Sequence, residues 1–384
     1  MLVNIVKKNF YRDSVFLMAL SNKIKTIDGV IDSSVMMGTD ANKKLLSETG
    51  FFAKEDENAT PNDLLICVSL QTTTDVKQIT ESIEKMLDVT VAKSTISTAE
   101  NPKSVEEAIE IQPNANIAVI SIPGQYVRYQ AEKLLKNNIN LMIFSDNVSV
   151  EDEIILKKLG VEKKLLVMGP DCGTAILNGV PLGFANVVRK GSIGIVAASG
   201  TGTQEVTTII HKQGEGISQA IGLGGRDLKS EVGGLMALSA LKMLENDPDT
   251  KVICIVSKPP AVEVEEKIIE LVKNYDKPVI IDFIGSRIQR EDNRNMFFVN
   301  TLEDVALKSI AVLQNKKYVP DKKLASNLLK LAKNEIKKYK KNQKYIRGLF
   351  SGGTLCDEAI FGLEKSISEI YSNIAVKPEY KLKD

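Results

Sequence analysis

Apolar and polar positions alternate with two different periods over the first 92 residues of the chain. Period-two runs predict strands and 3.6-residue spacing predicts helices, and the two alternate as LVNIVKK, SVFLMALSNKIKTI, IDSSVMM, ANKKLLSETG, DLLICVSL and TTTDVKQITESIEKML. This βαβαβα order predicts a small α/β sandwich over residues 1–92. The next stretch, VAKSTISTAENPKSV, has few apolar residues in phase and is interpreted as a polar linker.

From Ser104 onwards the pattern changes to short, almost continuous apolar runs separated by helical segments. The runs over 104–188 are NIAVISI, NLMIFS and KLLVMG, and such strands are typical of a parallel sheet covered on both faces. After Arg189-Lys190-Gly191 the alternation starts again with GSIGIVAAS, SQAIGLGG, KVICIVS and PVIIDFIG. The pattern therefore predicts a second parallel-sheet domain over 190–316.

Parallel α/β sheets bind ligands at the carboxyl ends of their strands, so the strand-end loops are the first candidates for a site. In the first parallel sheet these loops contain Pro123, Gly124, Gln125, Asp146, Asn147, Gly169, Pro170, Asp171 and Cys172. Cys172 is the only cysteine at a strand end and is a candidate catalytic nucleophile. That role needs a lowered thiol pKa, which nothing in the sequence indicates, and a structural thiol is the alternative.

A phosphate-binding turn is predicted where the apolar run ending at Ala198 meets a helix. The turn consists of the small residues Ser199, Gly200, Thr201, Gly202 and Thr203. Free backbone N–H groups, hydroxyls and the positive end of a helix dipole meet there, an arrangement that suits phosphate or carboxylate. An ordinary capped turn without a ligand is the alternative.

The loop GLGGRD after the next strand supplies charged candidates for the same anion. Arg226 carries a planar guanidinium that binds oxyanions through two hydrogen bonds, and Asp227 adjoins it. We expect Arg226, Asp227 and Cys172 to be the catalytic residues. A surface arginine is the alternative for Arg226.

Residues 317–344 are rich in lysine and carry leucines at helical spacing, at Leu324, Leu328, Leu329 and Leu331. The pattern predicts a helix with one apolar stripe and a cationic outer face. A connecting helix is favoured over a nucleic-acid-binding arm, because positive and negative charges nearly cancel over the whole chain.

The segment predicted as a separate domain, 345–384, contains nearly all of the run KYIRGLFSGGTLCDEAIFGLEK (344–365), which repeats the order of apolar strand, small-residue turn and helix. Ser351, Gly352, Gly353 and Thr354 form the turn, a second candidate phosphate cradle. One βα unit cannot bury its own apolar face. We therefore expect an incomplete domain, so that either the chain is a fragment or another polypeptide completes it.

Composition restricts the chemistry further. Fifty Lys and Arg oppose 49 Asp and Glu, so the net charge of +1 gives no electrostatic case for nucleic acid or an anionic membrane. No apolar run reaches the roughly 18 residues of a membrane span. The four cysteines form no CxxC pair. These observations predict a cytoplasmic protein without a metal site. His211 is the only histidine, and its place along the helix after the first turn predicts a surface or helix-end residue.

In their order along the chain, VMGPDCGTAI, GSIGIVAASGTGTQEV, GLGGRDL and PVIIDFIG resemble the FdrA family of acyl-CoA-synthetase-like proteins and, beyond it, the α subunit of succinyl-CoA synthetase. KKNFYRDSVFLMALS and KYIRGLFSGGTLCDEA extend the resemblance over nearly the whole chain. It implies a Rossmann-like CoA-binding-type domain over 104–188, a flavodoxin-like ligase-type domain over 190–316, and the start of a second ligase-type domain over 345–384. The Ser199–Thr203 turn would be the phosphate-binding helix start.

The sequence departs from this family in two ways. The glycine-rich loop that binds the CoA pyrophosphate is not visible, and the small N-terminal domain and polar linker stand in its place. No histidine follows PVIIDFIGSRIQRED, where the phosphorylated histidine of the synthetase would stand. A swinging phosphohistidine cannot operate with His211 alone.

Three functions are compatible with these observations. The first is an FdrA-type subunit of a carbamoyl- or acyl-transferring enzyme, similar to oxamate carbamoyltransferase in purine (allantoin) catabolism. The alternatives are ADP-forming acyl-CoA ligation and a non-catalytic scaffold or regulatory subunit. The resemblance implies CoA, carbamoyl phosphate, or ATP/ADP with Mg as substrates, a phosphate-bearing small molecule as ligand, and partner subunits or a homo-oligomer.

Overall fold

A computed structural model describes residues 1–12, 14–72, 75–94, 102–286, 288, 290–319, 322–375 and 377–382. The chain is an α/β protein that divides into two compact units, Met1–Asn101 and Pro102–Asp384. None of the helices in these ranges is long and apolar enough to cross a membrane.

The N-terminal unit is built around a three-stranded antiparallel sheet. Its strands are β1 (Leu2–Lys7), β2 (Val30–Met37) and β3 (Leu64–Leu70), in the order β1-β3-β2, and its helices are α1 (Ser14–Ile24), α2 (Asp40–Glu48) and α3 (Val76–Ser94). The central strand alternates between two cores: Ile66 and Val68 pack with residues of α1 and α3, while Leu65 and Cys67 pack with Leu46 of α2. All six predicted elements are present.

The segment predicted as a linker is only partly described. Helix α3 runs on to Ser94 and so occupies the first four residues of VAKSTISTAENPKSV. Residues 95–101 of that segment lie outside the described residues, and their interpretation as a linker stays a prediction.

The second unit begins with a three-stranded parallel sheet. Strands β4 (Ile117–Ile120), β5 (Asn140–Ile143) and β6 (Val167–Met168) lie in the order β4-β5-β6, with α4 (Val105–Ile111), α5 (Gly124–Lys136) and α6 (Val150–Lys163) between or before them. Ser104 and Ser149 cap α4 and α6, since their hydroxyls accept hydrogen bonds from Glu107 N (3.1 Å) and Asp152 N (3.1 Å). The parallel arrangement matches the prediction from the apolar runs.

The larger sheet has seven strands in the order β13-β12-β11-β9-β10-β7-β8. The strands are β7 (Thr174–Leu177), β8 (Val180–Gly183), β9 (Lys190–Ala197), β10 (Ile217–Gly222), β11 (Val252–Ser257), β12 (Val279–Phe283) and β13 (Met296–Phe298). Strands β9 to β13 are parallel, and β7 pairs antiparallel with β10 and with β8. Ala197 lies opposite Gly222 and Val256, so the central strands end at one edge.

Helices cover both faces of this sheet. They are α7 (Gly200–Lys212), α8 (Leu235–Asn246), α9 (Val262–Val272) and α10 (Leu302–Leu313). Residues of α7 and α10 form one core with alternate residues of β9, β11 and β12, while residues of α8 and α9 form a second core that continues into the sheet β4-β5-β6. The buried faces explain why these strands are apolar throughout.

Two parts of the second unit differ from the sequence-based expectation. The hairpin β7–β8 belongs to the seven-stranded sheet, so the boundary predicted at 188–190 does not separate the sheets. The segment 345–350 is fully described but forms no strand, although KYIRGLF was predicted to form one. Helices α11 (Lys322–Ile336) and α12 (Gly353–Glu364) flank this segment, as the pattern predicts.

Candidate functional site

The first candidate site is the turn between β9 and α7. Ser199 is the N-cap of α7, and its Oγ accepts a hydrogen bond from Gly202 N at 2.9 Å. A Cβ on Gly202 would overlap the Ser199 hydroxyl in its capping position, so a larger residue there would displace that hydroxyl. Thr203 N and Thr203 Oγ1 both donate to the Ser199 carbonyl, at 3.1 and 2.6 Å. The predicted strand, turn and helix start are therefore present.

The cap uses part of the hydrogen-bonding capacity of this turn. Gly202 N–H is occupied by Ser199, and Thr203 N–H begins the helical ladder. The N–H groups of Gly200 and Thr201 point out of the first turn of α7, and no hydrogen bond to them is formed within the described part of the chain. Together with the positive end of the helix dipole, these two N–H groups are the ones available to an anion.

The second predicted cradle lies directly against the first. Ser199 Oγ is 2.7 Å from Thr354 Oγ1, and both side chains are buried. A Cβ on Gly352 would overlap the Thr201 side chain. Helix α12 has Gly352 as its N-cap and so lacks a side-chain cap. Two helix N-termini, from α7 and α12, therefore converge on one place.

Lys258, which was not among the predicted site residues, lies at this junction in an ion pair with a carboxylate of α12. Lys258 follows β11, and its Nζ lies 2.6 Å from Asp357 Oδ2 in the first turns of α12. The same Nζ is 3.8 Å from the position that a Cβ on Gly353 would occupy. Lys258 remains half exposed. Lys258-Pro259-Pro260 directly after the apolar run KVICIVS was the available signal, because it places a lysine at the end of β11, which pairs with β9.

Carboxyl groups lie on the same face of the sheet. Asp282 of β12 is buried, and neither of its oxygens has a hydrogen-bond partner in the described structure. Burial, with the nearby carboxylates of Glu358 and Asp304, raises the pKa of Asp282 to about 8. Burial also raises the pKa of Glu358, against the opposing effect of the hydrogen bond from Leu302 N (2.9 Å). Asp282 therefore adds little negative charge at neutral pH. The single Asp in the apolar run PVIIDFIG was its sequence signal.

The strand-end loops of the smaller sheet contact one another. Ser145 Oγ accepts from Ile122 N at 2.9 Å, and Asp171 N donates to the Ser145 carbonyl at 3.0 Å. A Cβ on Gly124 would overlap the carbonyl of Asn147. The loops carrying Pro123, Gly124, Gln125, Asp146, Asn147, Gly169, Pro170 and Asp171 thus share one edge.

One hydrogen bond ties this loop cluster to the first cradle. Gln204 Nε2 in α7 donates to Thr174 Oγ1 at 2.9 Å, and Thr174 follows the loop Gly169–Gly173 at the start of β7. Gly200 lies beside the same hydroxyl, 3.5 Å from its would-be Cβ. The loop 169–174 and the start of α7 are therefore neighbours.

The three residues predicted to be catalytic are buried or held in ion pairs. Cys172 is 3% exposed, and burial raises the pKa of its thiol to about 11, so it is not a thiolate at neutral pH. Arg226 Nε bonds Glu153 Oε2 at 2.8 Å, and its guanidinium also donates to the Val148 carbonyl. These contacts suit structural roles for Cys172 and Arg226.

Asp227 is fully buried and charge-compensated. Lys157 Nζ lies 2.8 Å from Asp227 Oδ1 and 2.8 Å from Glu153 Oε1, and it donates to the Leu223 carbonyl. The Asp227 carboxylate also accepts from Met236 N and Ala237 N at the start of α8. Its charge is therefore used to hold α6 and α8 together, and a catalytic role does not suit it.

His211 lies in the last turn of α7, at the opposite end from the cradle. Its Nδ1 accepts a hydrogen bond from Arg189 N at 2.9 Å. A 13-residue helix is about 20 Å long at 1.5 Å per residue. The prediction of a helix-end histidine is therefore confirmed.

Comparison with known proteins identifies two family segments. Residues 1–104 match a family described as "AllF, heavy metal-associated domain", and residues 188–285 match a CoA binding domain. The second match falls on the segment predicted as the ligase-type domain, 190–316, and not on 104–188, where the CoA-binding-type domain was predicted.

The residues of the N-terminal unit do not fit a heavy metal. Cys67 is its only cysteine, and it has no histidine. Cys67 is buried in β3, and burial raises the pKa of its thiol to about 12. Across the described residues, no group of three or more His, Cys, Asp or Glu side chains is placed to hold a metal ion.

One relative matches almost the whole chain, and two others match about half of it. "Uncharacterized protein YahF" of Escherichia coli (strain K12) is 43% identical over 380 residues, which are 99% of this chain and 73% of YahF. The α subunit 1 of succinate–CoA ligase [ADP-forming] of Archaeoglobus fulgidus is 29% identical over 188 residues, 48% of this chain and 62% of that subunit. The ADP-forming sulfoacetate-CoA ligase subunit SauD of Bilophila wadsworthia is 28% identical over 200 residues, 50% of this chain and 66% of SauD. The chain thus spans less than two thirds of either ligase subunit. It belongs to the FdrA-like family of acyl-CoA-synthetase-like proteins, which includes YahF and is related to the α subunit of succinate–CoA ligase.

Proposed function

We propose that the chain is the α-type subunit of an acyl-CoA ligase and that it binds phosphate, or the phosphoryl group of an acyl phosphate, where α7 and α12 converge. The observation that carries the proposal is this convergence, with Ser199 and Thr354 in hydrogen-bond contact and Lys258 beside them. Two helix N-termini supply positive potential, and Lys258, which is paired with Asp357, adds an ammonium donor beside them. The similarity to two ADP-forming CoA ligase subunits supports the reaction class.

The reaction that these groups can promote is transfer of an acyl group between phosphate and the thiol of CoA. In the forward direction the CoA sulfur attacks the acyl carbon, the C–S bond forms, the C–O bond to phosphate breaks, and the thiol proton passes to the released phosphate. The N–H groups of Gly200 and Thr201, with the Lys258 ammonium, stabilise the negative charge that grows on the departing phosphate.

A phosphohistidine relay has no residue to carry it in this chain. His211 is the only histidine, and it lies at the far end of α7 with its Nδ1 occupied. Direct reaction between an acyl phosphate and the acceptor needs no such relay. This observation also favours a second candidate, carbamoyl transfer from carbamoyl phosphate, which is itself an acyl phosphate. A non-catalytic scaffold would bind the anion without turnover.

Lys258→Met tests the proposed anion site. We expect inorganic phosphate to bind the wild-type chain in calorimetric titration and to bind the variant at least about tenfold more weakly, because one charge-assisted contact is removed. Lys251→Met is the matched control, since Lys251 is also exposed and its backbone N–H, which the substitution keeps, bonds the Ser192 carbonyl. Equal affinity of both variants and wild type would contradict the site.

Two acceptors distinguish the candidate reactions. The chain, co-expressed with the polypeptides encoded beside it, is supplied with acetyl phosphate and CoA, or with carbamoyl phosphate and oxamate. Thioester formation supports the ligase-type reaction, and carbamoyl transfer to oxamate supports the second candidate. Phosphate binding without turnover of either pair would assign the chain to the scaffold class.

A further inference from the structure

Asp282 of β12 is a buried acid that the proposed reaction does not use. The residue is 1% exposed, and neither of its carboxyl oxygens has a hydrogen-bond partner in the described structure. Ionising a carboxyl group in such a place is strongly unfavourable, because the carboxylate loses its hydration and gains no hydrogen bond in return. The protonated, neutral form is therefore the one that this interior accommodates.

The elements packed around Asp282 oppose a negative charge there. Carboxyl groups from three helices act on Asp282 or on its neighbour Glu358, and these are Glu205 of α7, Glu303 and Asp304 of α10, and Glu358 itself on α12. On one side β13 contributes only the apolar residues Met296–Phe298. On the other side β11 ends at Lys258, whose ammonium group is already paired with Asp357 of α12.

Contacts link this acidic group to the candidate anion site. Glu358 Oε1 accepts a hydrogen bond from Leu302 N at 2.9 Å. The Leu302 side chain in turn lies 3.3 Å from the position of a Cβ on Gly202, in the turn that starts α7. Glu358 also belongs to α12, the second helix whose N-terminus forms the site. Asp282 and the anion site are therefore parts of one packed region.

The register of the sheet gives the separation between Asp282 and the turn. Asp282 lies opposite Val256 of β11, and Val256 lies opposite Ala197, the last residue of β9. Two strand spacings make this separation about 10 Å. At that distance, with an effective dielectric constant of about 20 and low salt, a charge on Asp282 changes the affinity for an anion by about tenfold.

We propose that Asp282 regulates the candidate anion site through its proton. Anion binding is favoured while the carboxyl group is protonated and is weakened when the proton is lost, because the carboxylate repels the anion. By linkage, a bound anion favours the protonated carboxyl group to the same extent, so that binding takes up protons. This inference rests on the proposed anion site but not on the reaction that takes place there.

Sulfate is the probe that tests this regulation. It has the tetrahedral shape of phosphate and keeps its charge across the pH range used, whereas a phosphate group titrates close to neutral pH. In calorimetric titrations of the full chain at low salt, we expect the affinity for sulfate to fall about tenfold as the pH rises through the pKa of Asp282, which is about 8. Asp282→Asn keeps the size of the side chain without its charge and should reduce the fall to less than about threefold.

Two substitutions are matched controls that should keep the pH dependence of the wild type. Asp249→Asn removes an exposed carboxyl group paired with Lys190, at the end of β9 opposite to the turn. Cys356→Ser removes the thiol of α12, which lies 3.8 Å from Ser372 Oγ. Titrating the wild-type chain at its steepest pH in two buffers of different ionisation enthalpy should show uptake of part of a proton, which measures the linkage without any substitution.

The outcomes separate this inference from the site on which it rests. An affinity independent of pH, an equal fall in Asp282→Asn, or binding without proton uptake would overturn the regulation and leave the anion site in place. No sulfate binding at any pH, or binding that Lys258→Met leaves unchanged, would overturn the anion site and the regulation together. Circular dichroism melts of the variants check that the fold is retained.

Discussion

Two regions of the chain have nearly the same sequence design and different structures. GSIGIVAASGTGT forms a strand, a turn and a helix, whereas KYIRGLFSGGT forms only the turn and the helix. β9 lies between β10 and β11, which pair with it on both sides, while 345–350 has no neighbouring strand in the described structure. The comparison shows that an apolar run becomes a strand only where partners saturate its backbone.

The largest expected difference in stability is between a substitution in β9 and one in the segment 345–350. Ile195→Ala removes a fully buried side chain from β9 and should lower the free energy of unfolding by about 2–5 kcal/mol. Leu349→Ala changes a fully exposed side chain and should alter it by less than about 0.5 kcal/mol. Urea denaturation of both variants measures the difference. Similar losses would mean that 345–350 is packed in solution as β9 is.

A pH dependence is expected from Asp282, beneath the site. The pKa of its carboxyl is raised to about 8 in the folded chain, so between pH 4 and 8 the folded state binds more protons than the unfolded state. Stability should therefore fall as the pH rises through this window, by at most about 1.4 kcal/mol per pH unit. Asp282→Asn should flatten the dependence in thermal melts at a series of pH values. An unchanged slope would show that other groups cause it.

The smallest expected changes in stability concern the hydroxyl contact between the N-termini of α7 and α12. Ser199→Ala removes the cap of α7 and the contact with Thr354, and should cost about 1–2 kcal/mol. Thr354→Val removes only the contact between the turns and should cost about 0.5–1.5 kcal/mol. If the double variant costs the sum of the two, the hydroxyl pair does not couple the helix starts. Chemical denaturation supplies all three values.

Sequence periodicity predicted most of the secondary structure because local pattern and tertiary environment agree in the buried strands. The runs around Ile195, Cys254 and Ile280 are apolar throughout, and each lies in a sheet covered on both faces. The run at 345–350 has the same local pattern but lacks neighbours, which no local pattern reveals. The hairpin β7–β8 was missed although Asn178-Gly179 is a local two-residue turn signal between Leu177 and Val180. Only its pairing with β10, which joins residues more than 40 positions apart, is absent from the local pattern.

The sequence predicted only the part of the site that is a local motif, because contacts between distant residues leave no local pattern. The Ser199–Thr203 turn is a local feature and was found, whereas its contact with Thr354 spans 155 residues and was not. Arg226 and Asp227 were selected for their charge, but charge alone does not distinguish a ligand-binding residue from one neutralised by Glu153 or Lys157. Lys258 and Asp282 became candidates only when the fold placed α12 over them.

The buried ion pair between Lys157 and Asp227 has a practical consequence for dissecting the molecule. It joins a helix of the smaller sheet to the loop after β10, so expression of the β10 side alone leaves the Asp227 carboxylate in an apolar interior without Lys157. A cut near residue 189 would also separate β7 from β10. Fragments intended to fold independently should therefore be divided close to residue 102, with everything downstream kept in one piece.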